Sequence, residues 1–358
     1  MDAQGIVQLD YKARIKERAL ALGFDACGVA EACPPPHAAA FRSWLEAGCA
    51  GEMSWLKKNA DRRTNPQLVL ESVRSVIVVA HNYAPADRSH TTQTAAANHQ
   101  IARYAWGEDY HEVLTPRLRE LDYFLETLGG NQRSYIDTGP VLERDYAALA
   151  GIGWHGKSTM LISRELGAFF FLGIILTSLE LEPDEPAKDR CGKCTRCIDV
   201  CPTAAITGPH HLDARRCIAY LTIELKGSIP VEFRPLIGDR IYGCDDCAAV
   251  CPWNRFAAES KEARFEAREF VHGWSLRDFL ALDDESFRRL FKKSPIKRIK
   301  RRGFLRNVCV ALGNTGTVDD LPALRAAAMD PEPLVAEHAQ WAICALKARL
   351  KSSLKAAE

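Results

Sequence analysis

Apolar positions in the first half of the chain follow two periods. In "LDYKARIKERALALG" (Leu9 to Gly23) they recur every three to four residues, which predicts an amphipathic helix stopped by Gly23. "HAAAFRSWLEAG" (His37 to Gly48) predicts a second helix with the same kind of stop. "VRSVIVVAHNY" (Val73 to Tyr83) is a β-branched run and predicts a buried strand. "RSYIDTGP" (Arg133 to Pro140) predicts a short strand entering a turn, and "VLERDYAALAG" (Val141 to Gly151) a helix. "STMLI" and "AFFFLGIILTSLEL" predict further strands. None of these strands alternates cleanly between polar and apolar residues, which suits a sheet covered on both faces.

The pattern then changes. "ELEPDEPAKDR" (Glu180 to Arg190) is acidic and proline-bearing, as at a boundary. A cysteine-rich stretch follows, to about Asn254. Beyond it come short helical patterns broken by Gly-Asn and Asp-Pro: "SLRDFLAL", "DDESFRRLF", "FLRNVCVALGNTG", "LPALRAAAMD" and "PLVAEHAQWAICALKARL". They amount to about two helix pairs, too few to stand alone, so they are expected to dock on the rest. The predicted division is 1–182, 183–258 and 259–358.

Composition narrows the class. The 358 residues are 47% hydrophobic and 26% charged, with a formal net charge of +1, so nucleic-acid binding would need a local patch. The opening "MDAQGIVQLDYKAR" has no basic-then-apolar signal layout, and the longest apolar run, "AFFFLGIIL", is too short for a membrane helix. A cytoplasmic protein without a membrane partner is expected. Thirteen cysteines in such a compartment point to metal rather than disulfides.

Eight of them lie between Cys191 and Cys251. Cys191, Cys194, Cys197 and Cys201 are spaced C-x2-C-x2-C-x3-C-P, the bacterial ferredoxin pattern for 4Fe–4S clusters. Cys244, Cys247 and Cys251 repeat its second half, C-x2-C-x3-C-P. Two clusters are predicted. Cys191, Cys194 and Cys197 would hold one, closed by Cys251. Cys244 and Cys247 would hold the other, with Cys201 crossing over and Cys217 supplying the ligand the second run lacks. A free Cys217 beside a three-iron cluster is the alternative, and structural zinc the bland one. Cys27, Cys33, Cys49, Cys309 and Cys344 have no ligand spacing and are expected to be structural thiols.

Paired clusters form a one-electron wire, and a bare carrier needs far less chain. The surplus predicts a reductase whose acceptor site lies before the cysteines, with a second redox cofactor able to deliver two electrons. "GIGWHGKST" (Gly151 to Thr159) lacks the residue gap of a phosphate loop and predicts a backbone that some large ligand approaches closely. "GEDYHEVL" (Gly107 to Leu114) contains Asp-x-His, the start of a cobalamin axial-ligand motif, but Leu114 stands where that motif has glycine. His111 is therefore read as a polar helix-start residue. "RRLFKKSPIKRIKRRGFLR" (Arg288 to Arg306) carries ten basic residues and no acid, which points to a phosphate backbone; a solvated helix face is the alternative.

"RYAWGEDYHEVL", "YIDTGPVLERDYAALAGIGWHGKST", the two cysteine runs and "SPIKRIKRRGFLRNVCVALGN" together resemble the epoxyqueuosine reductase family. The resemblance implies an α/β (α+β) cobalamin-binding domain related to reductive dehalogenases, a ferredoxin-like double 4Fe–4S domain and a C-terminal α-helical HEAT-like domain. It implies reduction of epoxyqueuosine to queuosine at the tRNA wobble position, with cobalamin held without an axial histidine. A low-potential donor such as a flavodoxin or ferredoxin would feed the clusters. It further implies Asp137 as proton donor, whereas by residue type alone it reads sooner as an aspartate capping its own turn. Gly156, Lys157 and Ser158 are implied as cobalamin contacts, and Arg63 in "RRTNP" as a further one. Lys293, Lys297, Arg298, Arg301 and Arg302 are implied to face the anticodon stem. The rival readings are a cobalamin-dependent reductase of a small organohalide and a non-enzymatic iron–sulfur electron carrier.

Overall fold

The structure, a computed structural model, describes residues 3–84 and 99–356, with side chains described for 10–84 and 99–352. Its first part is built on four antiparallel strands: β1 (Ala26–Glu31), β2 (Ser75–Asn82), β3 (Gln132–Tyr135) and β4 (Phe170–Thr177). They lie in the order β1–β2–β4–β3, with Val29 opposite Ile77, Val78 opposite Ile174, and Ser134 opposite Ile175. Every residue of β2 is buried. Val76, Val78 and Ala80 enter one core, with Tyr146 and Ala147 of helix α4 (Glu143–Leu149). Ile77 and Val79 enter the opposite core, under helices α1 (Ala3–Ala21) and α3 (Tyr110–Thr127). The side-chain period of two is therefore present, but both phases are apolar because both faces are covered. Each buried Val or Ile contributes about 1.5–3 kcal/mol, so Val78→Asp would break this sheet.

The glycine stops act as predicted. Gly23, at φ 87°, ends α1, and Gly48, at φ 69°, follows α2 (Ala38–Glu46). One strand expectation shrinks. Of "STMLI" only Leu161–Ile162 is extended, paired with Trp154–His155. Ser158 and Thr159 belong instead to a tight turn closed by the Thr159 N–H on the Gly156 carbonyl, 2.9 Å.

In the cysteine-rich segment two one-turn helices, Arg196–Asp199 and Asp246–Ala249, carry the two C-P runs and pack against each other. A parallel strand pair, Gln100–Ile101 with Arg240–Tyr242, stitches this segment to the first part. The helices that follow include α5 (Lys300–Thr315), α6 (Leu321–Ala327) and α7 (Pro333–Ala356). Gly313 of α5 lets α7 approach so closely that a Cβ would meet Ala342 Cα at 2.9 Å. Their core, with Phe279, Phe291 and Phe304, also takes in Ile101, Trp106 and Tyr242. The helical part thus docks on the rest, as its small size predicts. Among the described residues no helix is long and apolar enough to cross a membrane.

Candidate active site and iron–sulfur centre

The eight cysteines separate into two sets. Cys191, Cys194, Cys197 and Cys251, together with Cys247, line one open cavity of about 440 Å³. Burial and the neighbouring thiols of Cys191, Cys197 and Cys194 push the Cys251 thiol up to about 11. Cys247 is raised mainly by burial and then by Cys217, Asp245, Cys201 and Cys197. Cys247 and Cys197 therefore mark where the two sets abut. Mutually repelling, desolvated thiols are unstable as free thiolates and become good ligands when a cationic centre neutralises them. The Ala205 N–H donates to Cys201 Sγ at 3.3 Å, the kind of bond that tunes a cluster's potential. The donor set fits two four-cysteine clusters. Of the other five cysteines, Cys309 is buried in the helical core and Cys27 packs beneath the sheet, while Cys344 is exposed.

Asp137 stands at the end of β3, exposed and at φ 56°, a left-handed conformation that costs an L-residue about 1 kcal/mol. Two helix starts hold it there. The Tyr110 hydroxyl, at the first residue of α3, donates to Asp137 Oδ2 at 2.7 Å. The Asp137 N–H donates to Glu143 Oε1, at the first residue of α4, at 3.1 Å. The aspartate therefore does more than cap its own turn. Burial first, then the Asp137 charge, pushes Glu143 up to about 8, so it is mostly protonated at neutral pH. Arg63 completes the group. Its Nη1 donates to the Val141 carbonyl at 3.2 Å, and its buried Nε has no hydrogen-bond partner among the described residues. Burial lowers its pKa, opposed by the nearby charges of Glu143 and Asp137.

Sequence reasoning passed over Tyr110, although it sits inside the Asp-x-His triplet, and gave Glu143 no role. His111 is held by Asp109, the N-cap of α3. Asp109 Oδ1 accepts the His111 N–H at 3.0 Å and lies 2.8 Å from its Nδ1. It is a helix-start residue.

The loop "GIGWHGKST" links this group to the cysteines, but not as its glycines suggested. A Cβ at Gly153 would meet the Ile162 carbonyl at 2.4 Å, and one at Gly156 the Ile162 side chain at 2.5 Å. What approaches these glycines is protein. Lys157, expected to contact the cofactor, instead donates to the carbonyls of Gly192 and Cys194, at 2.7 and 3.0 Å. Ser158 is buried and lines the first cysteine cavity. Arg144, next to Glu143, donates to the Thr159 carbonyl at 3.0 Å. A continuous path therefore runs from Asp137 through the start of α4 to the cysteine loop.

The basic stretch is acid-free only in sequence. Arg298 pairs with Glu224 at 2.7 Å, and Arg302 lies 3.9 Å from Glu332. Arg301 is bound to Asp330 and to the Leu282 carbonyl and is largely buried. The expectation that Arg301 faces nucleic acid is corrected to a structural role, because its guanidinium is already neutralised inside the fold. Arg306 is buried outright. Lys293, Lys297 and Lys300 are exposed. The Lys293 carbonyl accepts the Asp109 N–H at 2.8 Å, one residue from Tyr110. The stretch therefore begins beside the Asp137 group.

Comparison with known proteins agrees with this arrangement. The model of the "4Fe-4S double cluster binding domain" matches residues 190–254, so the cysteine-rich segment is a double 4Fe–4S domain. The model "Epoxyqueuosine reductase QueG, DUF1730" matches residues 63–138, from Arg63 through Asp137. The chain superposes with a TM-score of 0.88 on a crystal structure of an epoxyqueuosine reductase with an epoxyqueuosine-modified tRNA-Tyr stem loop. That protein is 31% identical, over 94% of this chain and 90% of the other. A Bacillus subtilis epoxyqueuosine reductase, with its catalytic aspartate loop swung out of the active site, gives 0.85 at 31% identity, over 94% and 91%. The epoxyqueuosine reductase of Xanthomonas campestris is 43% identical over 339 residues, 93% of this chain and 96% of its own length. On that similarity, end to end, this chain belongs to the epoxyqueuosine reductase family.

Proposed function

We propose that this chain reduces epoxyqueuosine to queuosine at the wobble position of tRNA, with Asp137 as the proton donor. The observation that carries the reading is the two-sided tether of Asp137. Tyr110 and Asp109 tie it to Lys293, where the basic stretch begins. Glu143, Arg144, Thr159 and Lys157 tie it to the cysteine loop. Nucleic acid on one side and electrons on the other is what a redox enzyme acting on RNA requires. Residues 1–182 would form the catalytic domain, 183–258 the electron relay and 259–358 the helical part contributing to RNA binding.

Removing an epoxide oxygen takes two electrons and two protons and yields an alkene and water. The eight ligand cysteines would hold two clusters able to carry electrons singly from a low-potential flavodoxin or ferredoxin in the cytoplasm. Cobalamin, with Arg63 and Ser158 among its contacts, would supply the low-valent cobalt that joins single electrons into a two-electron reduction. The buried, unpartnered Arg63 Nε fits a polar edge of such a group. The chain's own residues then manage the proton. Tyr110 fixes Oδ2 of Asp137, which leaves Oδ1 as the atom to deliver a proton to the departing oxygen. Neutral Glu143 holds the Asp137 N–H without adding a second full charge beside it. Lys293, Lys297, Arg298 and Arg302 form the phosphate-facing surface, with Glu224 and Glu332 exchanged for phosphates on binding.

The test is Asp137→Asn in cluster-loaded protein with cobalamin, followed by mass spectrometry of tRNA nucleosides. The expected result is unchanged iron and tRNA binding with turnover lowered about 10²-fold or more. Near-normal turnover with both cofactors bound would remove Asp137 from the mechanism.

A further inference from the structure

We propose that His37, Asp145 and His155 form a site for a divalent transition-metal ion of the zinc class, separate from the cysteine-rich segment. It is independent of the catalytic reading above. The three residues come from three segments. His37 follows Pro34, Pro35 and Pro36 and precedes α2, Asp145 is the third residue of α4, and His155 lies on the short strand Trp154–His155. Three consecutive prolines stiffen the approach to His37.

Asp145 is 2% exposed, so its carboxylate is a charge held inside the protein. Such a charge needs compensation. Both imidazoles converge on one of its oxygens. His37 Nδ1 lies 2.7 Å and His155 Nε2 2.8 Å from Oδ1. The other oxygen, Oδ2, accepts the His37 N–H at 3.0 Å, which fixes the carboxylate's orientation. The rings sit 4.6 Å apart with planes at 61°, and the three donor atoms all lie within 4.8 Å of one another.

One of the two short contacts lacks the alignment of a good hydrogen bond. His155 Nε2 is buried and has no hydrogen-bond partner among the described residues, although Oδ1 is near. A buried ring nitrogen aimed beside a buried carboxylate, with a second imidazole alongside, is the arrangement a shared cation resolves. Two imidazole nitrogens and one carboxylate oxygen suit zinc, which in open sites takes three protein ligands and a water. The fourth position would face solvent on the His37 side, where that side chain is 53% exposed. Zinc bonds of about 2.0–2.1 Å at tetrahedral angles need donor atoms roughly 3.3 Å apart. The two short contacts would therefore open by about half an ångström, a small side-chain adjustment. Bound metal would clamp the segment before α2 and the "GIGWHGKST" loop onto α4.

The experiment uses anaerobic protein with both clusters in place, so that the cluster cysteines are occupied. Zn²⁺ is added, excess removed, and zinc and iron measured per chain, with melting temperature in parallel. Expected are one zinc per chain beyond unchanged iron and a higher melting temperature. His37→Ala and Asp145→Asn should each weaken zinc retention at least tenfold and abolish the thermal shift, with iron unchanged. His37 is mostly exposed, so its variant should fold normally. No retained zinc, or zinc retained equally by the variants, would overturn the proposal and leave the three residues as an ion-paired anchor.

Discussion

Glu143→Gln should make the protein more stable at alkaline pH and nearly neutral at mildly acidic pH. Glu143 is raised from 4.5 to about 8, chiefly by burial and then by the charge of Asp137. The folded protein therefore keeps a proton that the unfolded chain has lost, across the interval from about pH 4.5 to 8. Stability from this group is full below that interval, falls as pH rises through it, and levels off above about pH 8. At about 1.36 kcal/mol per pKa unit the whole rise has a ceiling of roughly 5 kcal/mol. The part lost between pH 6 and 9 is about 2–3 kcal/mol. Glutamine keeps an oxygen for the Asp137 N–H and cannot ionise. Subtracting its pH–stability curve from that of the parent cancels the other titrating groups. Urea unfolding of cluster-loaded protein at four pH values between 6 and 9 gives that difference. It should grow by about 2–3 kcal/mol in favour of the variant. Curves that stay parallel within about 0.5 kcal/mol would show that Glu143 does not hold a proton at neutral pH, and the neutral-partner role assigned to it would fall.

Further outcomes follow from other contacts. Cys217→Ala should lower iron from about eight to about four per chain, whereas Cys344→Ala should leave iron unchanged; equal iron in both would make Cys217 a free thiol. Lys293→Ala combined with Lys297→Ala should weaken tRNA binding and reduce the slope of log affinity against log salt by about one to two. Arg301→Ala should instead lower stability and leave that slope alone, as its charge is already matched by Asp330. Arg306→Met should cost on the order of 3–5 kcal/mol in urea unfolding. It would strand the carbonyls of Leu221, Leu225 and Gly227, which the guanidinium now satisfies; a loss under about 1 kcal/mol would contradict that.

Local signals were readable from the chain and distant pairings were not. The cysteine ligands cluster because four of them must wrap one small object, so their spacing survives in sequence. Cys217 had to be inferred from a vacancy in the second run. The strands of the sheet were recognisable by β-branched content, but the two-core alternation of β2 was hidden because neither phase is polar. The basic stretch misled over Arg301 for a related reason. Its counter-ions, Glu224, Asp330 and Glu332, come from far along the chain. Tyr110 and Asp137 lie 27 positions apart, and no local pattern announces their bond. The glycines of "GIGWHGKST" were recognised as marking close approach, but what they approach is the neighbouring strand.

Cys217 and Cys244 do not stand only in a metal-binding loop. They pack in the same apolar cluster as Ile218, Leu221, Val310 of α5 and Trp341 of α7. Oxidative loss of the second cubane would loosen the seam on which the helical part rests. A damaged copy is then expected to lose the footing of its helical part along with its electrons, so that redox damage is read out as a loss of stability.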